Sequence, residues 1–206
     1  MSAAVPGLDG RPRCPWALAS AEYVDYHDTE WGVPVRDDVG LYERLSLEAF
    51  QSGLSWLTIL RKREAFRRAF GGFNPAVVAA FAAPDVARLM ADAGIVRNRR
   101  KIDAAIANAR ATIALGEGGL TRLVWEHAPK AQDGPERIDH VPATTPASVA
   151  LTKALRASGF VFLGPTTIYA LMQACGLVDD HLAGCFRREQ AAAPEGGVPR
   201  GRADLG

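Results

Sequence analysis

The strongest constraint on the fold of this chain is its punctuation. Between about Arg13 and Arg187, apolar residues recur at spacings of three and four, and most such runs follow a residue that caps a helix. Asp37 or Asp38 opens a helix with Leu41, Leu45 and Ala49 on one face, and Gly53 closes it. Ser55 caps the next, whose apolar stripe is Trp56, Ile59, Leu60, Phe66 and Phe70. Asn74-Pro75 and Ala83-Pro84 are cap-then-proline starts, suited to proline because the first turn of a helix has no use for that amide. Gly94 is the natural stop of PDVARLMADAG. Asn98 caps a helix carrying Ile102, Ile106, Ala109 and Ile113, and further helices begin near Thr121, Thr145-Pro146 and Gly164-Pro165, the last two ending at Gly159 and Gly176. Strand signals are nearly absent, limited to Val33-Pro34-Val35. The expectation is an all-α protein of eight or nine short helices forming a single domain over 13–187. Residues 1–12 and 188–206 lack apolar periodicity and are expected to be mobile tails. The irregular loop from His127 to Pro146 is expected to be partly disordered.

Composition narrows the function classes. A chain of 206 residues can bury about 70% of the surface its unfolded form exposes. With 48% hydrophobic and 23% charged residues it is neither disordered nor collagenous. A net charge of +1 gives no whole-molecule attraction to nucleic acid or membrane, so any such binding must use a local patch. Three cysteines are too few for a disulfide framework, and the opening MSAAVPGLDGRPRCPW lacks the apolar core of a signal peptide. The expected setting is the cytoplasm, with no membrane contact.

Four constellations carry chemistry. Cys14 and His27 stand near the start, and His181 and Cys185 near the end at i, i+4. Thiolate and imidazole suit tetrahedral zinc, and four protein ligands would leave no open position for water, so such a metal would be structural. A buried thiol with surface histidines is the alternative that spacing leaves open. Trp16, Tyr23, Tyr26 and Trp31 lie within sixteen residues of a chain that is only 8% aromatic, followed by Trp56, in an otherwise polar context. They can line a pocket for a flat ligand or simply fill a core. Glu48 lies at i+3 from Leu45 and i+7 from Leu41, on the inward stripe of its helix, where a carboxylate needs either a partner or a task. The segment DVARLMADAGIVRNRRKIDAAI is a helix, a glycine-centred turn and a second helix beginning with Arg97, Arg99, Arg100 and Lys101. Turn amides beside a helix N-terminus make an anion site fit for a DNA phosphate; a solvated basic face is the plainer alternative. The run RKREAFRR from Arg61 reads as the outer face of its helix.

Taken together these residues resemble the 3-methyladenine DNA glycosylase I family, within the helix-hairpin-helix glycosylase superfamily. The motifs match in order: RCPW at Arg13, YVDYHDTEWGVP at Tyr23, LEAFQSGLSW at Leu47, RKRE at Arg61, DAGIVRNRRKI at Asp92, ALRASGFVFLGPTTIYALMQACGLVDDH at Ala154 and GC at Gly184. The resemblance covers nearly all of 13–185, leaving out the loop between Ala128 and Pro146. It implies an all-helical helix-hairpin-helix glycosylase fold with one structural zinc ion joining the N- and C-terminal segments through Cys14, His27, His181 and Cys185. It implies excision of 3-methyladenine from alkylated double-stranded DNA by a monomer that cleaves no strand. Glu48 falls on the family's base-binding glutamate and is the catalytic candidate, and Trp16, Tyr23, Tyr26, Trp31 and Trp56 fall on its aromatic pocket. Leu54 is similar to the residue that wedges into the DNA stack, and Gly94, Ile95, Val96, Arg97 and Arg99 form the phosphate-gripping turn.

Many superfamily members carry a catalytic Asp after the hairpin; here ALGEGGLTRLVWEH has no Asp and offers Glu117 beside glycines, so no strong general base is expected. Lys101 lies where bifunctional relatives carry a lyase lysine, but at a different spacing, and is expected to touch phosphate instead. The competing reading is a zinc-stapled DNA-binding protein without catalysis, which leaves an inward Glu48 beside aromatic rings without a reason.

Overall fold

The structure, a computed structural model, describes residues 3–130 and 134–188. Nine α-helices form among the described residues. They are α1 (Ala21–Thr29), α2 (Asp38–Gln51), α3 (Trp56–Ala69), α4 (Pro75–Ala79), α5 (Ala83–Ala91), α6 (Arg99–Ala114), α7 (Gly119–Trp125), α8 (Pro146–Ala157) and α9 (Pro165–Ala174). Short 3-10 segments at Pro15–Ala19, Gly71–Phe73 and Ile138–His140 link them.

The caps read at Asp37, Ser55, Asn74, Asn98 and Thr145 are in place, whereas α5 is capped by Ala82, which makes Ala83 its first helical residue and Pro84 its second. Asp37 accepts from the Gly40 amide (2.7 Å), Ser55 from Thr58 (3.3 Å), Asn74 from Ala76 (2.9 Å), and Asn98 from both Arg100 and Lys101. Thr145 and Ser148 satisfy each other's amides reciprocally at the start of α8. Each bond satisfies an amide donor that the first turn of a helix would otherwise leave unpaired.

Several expectations are corrected. Helix α5 ends at Ala91 rather than at Gly94, because Asp92 takes the cap position and its carboxylate accepts from the Gly94 amide (2.7 Å). Helix α7 begins at Gly119, after Gly118 turns the chain with φ 66°, and Thr121 instead donates its amide and hydroxyl to Asp38 of α2. Val33-Pro34-Val35 pairs with no strand: the Val35 amide donates to Cys175 and its carbonyl accepts from the Trp125 indole. The strands that do form, β1 (Val5–Pro6) and β2 (Pro12–Arg13), pair antiparallel within the stretch expected to be a tail. They are anchored by the buried Arg13 guanidinium, which donates to Asp9 (2.6 Å) and to Asp28 (2.6 Å). The tail expected over 188–206 lies outside the described residues except for Arg188.

Helix α2 runs through the centre, with Leu41, Leu45, Leu47 and Phe50 buried and α3, α6, α7 and α9 packed around it. Phe50, Phe66, Phe70 and Phe73 form a chain of touching rings beside it, with centroids 4.7 to 5.7 Å apart between Phe50 and Phe66, Phe50 and Phe70, and Phe70 and Phe73. Full burial of each such side chain stabilises by about 1.5 to 3 kcal/mol, so α2 is held rigidly enough to fix whatever its last turn presents. A smaller apolar cluster of Cys14, Leu182 and Cys185 joins the two ends of the chain. Close backbone approach there requires glycine: a Cβ on Gly176 (φ 71°) would lie 2.6 Å from the Gly32 carbonyl oxygen. No helix among the described residues is long and apolar enough to cross a membrane.

Candidate active site

Ser20 caps α1 by accepting from the Tyr23 amide, and one turn later Tyr26 and His27 share the inward side of the helix. The Tyr23 hydroxyl accepts from the Leu57 amide (3.0 Å), fixing α1 against the first turn of α3. Trp16, from the 3-10 segment, meets Tyr23 edge-on (5.8 Å), Trp31 edge-on (5.1 Å) and Tyr26 (6.5 Å), and Tyr26 meets Trp56 (5.5 Å). These five rings line one cavity of about 330 Å³ together with Glu48, Gln51, Ile138, Val141, Ala170, Gln173 and Asp180. The volume falls in the range of pockets that take a small flat ligand.

Glu48, in the last turn of α2, is 6% exposed and makes no hydrogen bond or ion pair with the described residues. Burial pushes its carboxyl up to about 8. The Tyr26 phenol is raised well above its ordinary value, first by burial and then by the Glu48 charge. The Trp56 indole nitrogen is buried without a partner as well. Among the described residues that line the cavity none carries a positive charge, so its open hydrogen-bonding capacity faces a ligand with N–H groups or a cationic ring.

The sequence reading brought six of these residues together and missed the rest. Gln51 stands one turn beyond Glu48 on α2. Gln173 and Tyr169, at i, i+4 on α9, both donate to Asp180 (2.7 and 2.6 Å), which places a second carboxylate at the cavity. Ile138 and Val141 come from the loop expected to be partly disordered. The i, i+4 spacing of Tyr169 and Gln173 was the available signal; the loop offered none.

At the junction of the chain ends, Cys14, His27 and Cys185 place their ligand atoms within 4.8 Å of one another, all buried, in a cluster that could hold a metal ion. His27 approaches Cys185 through Nε2 (3.4 Å) while its Nδ1 faces Asp28 (2.8 Å). Hydrogen bonds from Cys14 and His27 hold the Cys185 thiol below its ordinary value. His181 lies outside that tight triplet, but its ring touches His27 (5.1 Å). Its Nδ1 faces Asp179 (2.9 Å), and its Nε2 is buried with no partner.

The remaining candidates sit on two turns. Leu54 is exposed on the turn between α2 and α3, where Gly53 adopts φ 81°. On the turn between α5 and α6, Ile95 is buried in the core and Arg97 is exposed. The Gly94 and Ile95 amides bond to Asp92, whereas those of Val96 and Arg97 make no bond with the described residues. Arg99 is exposed and paired with Asp103 (2.8 Å). Lys101 does not reach toward solvent: it is buried and donates to the carbonyls of Phe50 (2.8 Å) and Ser52 (2.6 Å), which corrects its expected phosphate role. The run from Arg61 is likewise no plain solvated face, since Arg61, Arg63 and Arg67 pair with Glu22, Glu30 and Glu43, and Lys62 donates to Ala93 and Gly94.

A mostly helical fold with a partnerless carboxyl among aromatic rings has the features of a protein that receives a base in a pocket. Residues 16–188 match the profile of the methyladenine glycosylase family, and the chain belongs to that family. It is 47% identical over 178 residues to DNA-3-methyladenine glycosylase 1 of Escherichia coli (strain K12), covering 84% of this chain and 95% of that protein. A crystal structure of 3-methyladenine DNA glycosylase I superposes with a TM-score of 0.81 at 46% identity, over 84% of this chain and 98% of the other. The 3-methyladenine DNA glycosylase I of Staphylococcus aureus, solved to explain 3-methyladenine recognition, is 36% identical with a TM-score of 0.78, over 84% and 95%.

Proposed function

We propose that this chain is a monofunctional DNA glycosylase of base-excision repair, which hydrolyses the N-glycosidic bond of 3-methyladenine and leaves an abasic site. The observation that carries this reading is Glu48, a buried carboxyl without a partner, set among five aromatic rings in a cavity of base size.

The substrate's chemistry makes a modest site sufficient. An N3-methylated adenine in DNA is cationic, so its glycosidic bond is already weak. The bond's electron pair goes to the departing ring, which leaves neutral, and water adds to the sugar carbon and loses its proton. The protein's work is to extrude the base and hold it. Extrusion costs a few kcal/mol of unstacking, recovered by stacking on the rings and by hydrogen bonds to the base edge. A cation over Trp or Tyr gains about 0.5 to 2 kcal/mol, which an uncharged adenine does not, and this difference favours the lesion. The cationic base favours the ionised form of Glu48 against its burial, and the carboxylate accepts from the base's N–H group and stabilises positive charge, acting by recognition rather than as a potent general base.

In this reading α5, its turn and α6 form a helix-hairpin-helix module that places the chain in that superfamily. The free amides of Val96 and Arg97, with the Arg97 side chain and the N-terminus of α6, grip a phosphate of duplex DNA. Gly94, Ile95 and Arg99 shape this turn, and Leu54 enters the base stack as the base leaves it. Cys14, His27, Cys185 and His181 would hold one zinc ion. The fit rests on the donor set and on the buried, unpartnered His181 Nε2, with Asp28 and Asp179 orienting the two rings. The metal would supply a structural cross-link between the chain ends.

The test is release of free 3-methyladenine from methylated duplex DNA, followed by chromatography. Release by the wild-type chain, with abasic sites accumulating and strands uncut, is the expected result. No base release from DNA carrying the lesion would overturn the reading.

A further inference from the structure

Two lysines cross between the turns assigned above to DNA. Lys62, on the helix that follows the Leu54 turn, donates to the carbonyls of Ala93 (2.9 Å) and Gly94 (3.2 Å) on the other turn. Lys101, on the helix that follows the Gly94 turn, donates to the carbonyls of Phe50 (2.8 Å) and Ser52 (2.6 Å) at the end of α2. Each turn is therefore tied by a cation that belongs to the helix leaving the other.

The arrangement has local physical reasons. The last carbonyls of a helix have no donor within it, and a cation there also meets the negative end of the helix dipole. Lys101 meets both needs of α2, and it stays where burial disfavours its charge, holding its pKa below the ordinary lysine value. Its long stem is enclosed, so the ammonium has few other places to go. On the opposite side, α3 lies directly against the second turn: a Cβ on Gly94 would stand 3.0 Å from the Ala65 Cβ. Hydrogen bonds to charged donors are the strong ones, and two per lysine fix a distance and an angle.

We propose that Lys62 and Lys101 are positioning residues that hold the wedge turn and the phosphate turn in one register, so that Leu54 enters the duplex at a fixed step from the gripped phosphate. The inference rests on the glycosylase reading and names neither lysine as a contact to the base or the reacting atoms. Without the straps each turn keeps its own contacts, but phosphate binding and base extrusion are no longer aligned.

The experiment compares Lys62→Met, Lys101→Met and the double variant, which keep the apolar stem and lose the donors, with Lys62→Arg as the conservative control. Free 3-methyladenine affinity is expected to stay within about twofold of wild type, since neither lysine lines the pocket. Single-turnover excision from a fully paired methylated duplex is expected to fall about tenfold or more in each single variant, the scale of a lost charged hydrogen bond. The double variant should be little worse than either single, because one alignment is lost only once. The defect should shrink when the lesion lies opposite an abasic position, where extrusion is already cheap. Lys62→Arg should restore most of the rate.

Unimpaired excision in both single variants overturns the proposal, as does strict additivity in the double variant. A fall of about one in the salt slope of undamaged-duplex binding in Lys62→Met also overturns it, because that marks a direct phosphate contact. If Lys101→Met loses free-base affinity through misfolding, Lys62→Met decides alone. Failure of the wild-type chain to release 3-methyladenine removes the glycosylase reading itself; release by wild type with unimpaired variants removes only the straps.

Discussion

Replacing Glu48 by Gln tests the site through stability before any substrate is added. The Glu48 carboxyl is pushed from 4.5 to about 8 by burial, so the folded chain binds this proton more tightly than the unfolded chain does. The stabilising contribution of the protonated form is therefore complete below about pH 4.5 and is lost as pH rises through about 8. With about 1.4 kcal/mol per pH unit inside that window, Glu48 lowers wild-type stability by roughly 2 to 3 kcal/mol between pH 5 and 7 and by about 4 kcal/mol between pH 5 and 9. The amide in the Glu48→Gln variant does not titrate, and the two groups that feel the Glu48 charge, Tyr26 and Cys175, stay protonated in the folded chain throughout this pH range, so the other groups titrate alike in both proteins. The stability of Glu48→Gln minus that of wild type should thus climb with pH, whatever constant offset the amide adds. Urea denaturation at pH 5, 7 and 9 and constant ionic strength, without ligand, measures it. At pH 9, where the Glu48 carboxyl is ionised, free 3-methyladenine should then stabilise wild type more than the variant, with affinity about ten- to a hundredfold apart, since a hydrogen bond to a charged group is worth about 1.5 to 3 kcal/mol. Parallel stability curves over the whole pH range would refute the burial argument, and equal base affinity would refute the recognition role.

Metal analysis should find one zinc per chain, and Cys14→Ser should lower Tm by roughly 10 °C, about 3 kcal/mol for a chain of this size, while changing excision per folded molecule little. Arg97→Ala should weaken binding to all duplex sequences alike and reduce the salt slope by about one, with a smaller effect for Arg99→Ala because Arg99 is already paired with Asp103; a loss confined to one sequence in a binding titration would remove the phosphate assignment. Trp56→Ala should weaken free-base binding several-fold or more and leave binding to undamaged duplex nearly intact, which paired titrations with the two ligands check.

The helices were legible where capping residue and apolar period agreed, as at Asp37, Ser55, Asn98 and Thr145. Helix α1 was not, because its inward residues are Tyr23, Tyr26 and His27 rather than an aliphatic stripe, although Ser20 and Glu22 marked its start. The hairpin before Arg13 depends on ion pairs to Asp9 and Asp28, and no periodicity reports those. Within the site, helical spacing alone put Glu48 on the inward stripe of its helix. Its isolation was invisible, since that depends on what α9 and α1 decline to offer it. The roles of Lys62 and Lys101 were invisible for a sharper reason: their acceptors are backbone carbonyls tens of residues away, and every residue type carries one.

Most buried charged groups among the described residues have partners. Arg13 at 3% exposure has two carboxylates, Lys101 at 7% has two carbonyls, and Glu43 at 9% has Arg67. Against that background, the partnerless groups Glu48, Trp56 Nε1 and His181 Nε2 stand out because all three lie in the cavity or beside the cysteine cluster. The Ser46 hydroxyl is also unpartnered, one turn or less before Glu48 on the same helix. An unsatisfied buried group costs about 1 to 3 kcal/mol, which the packing of α2 and the aromatic rings can offset but has no structural reason to retain. A ligand's N–H for Glu48, an acceptor for the Trp56 indole and a metal ion for His181 would each remove such a cost. In the proposed reading, the same unsatisfied groups are the ones that bind the base and the metal.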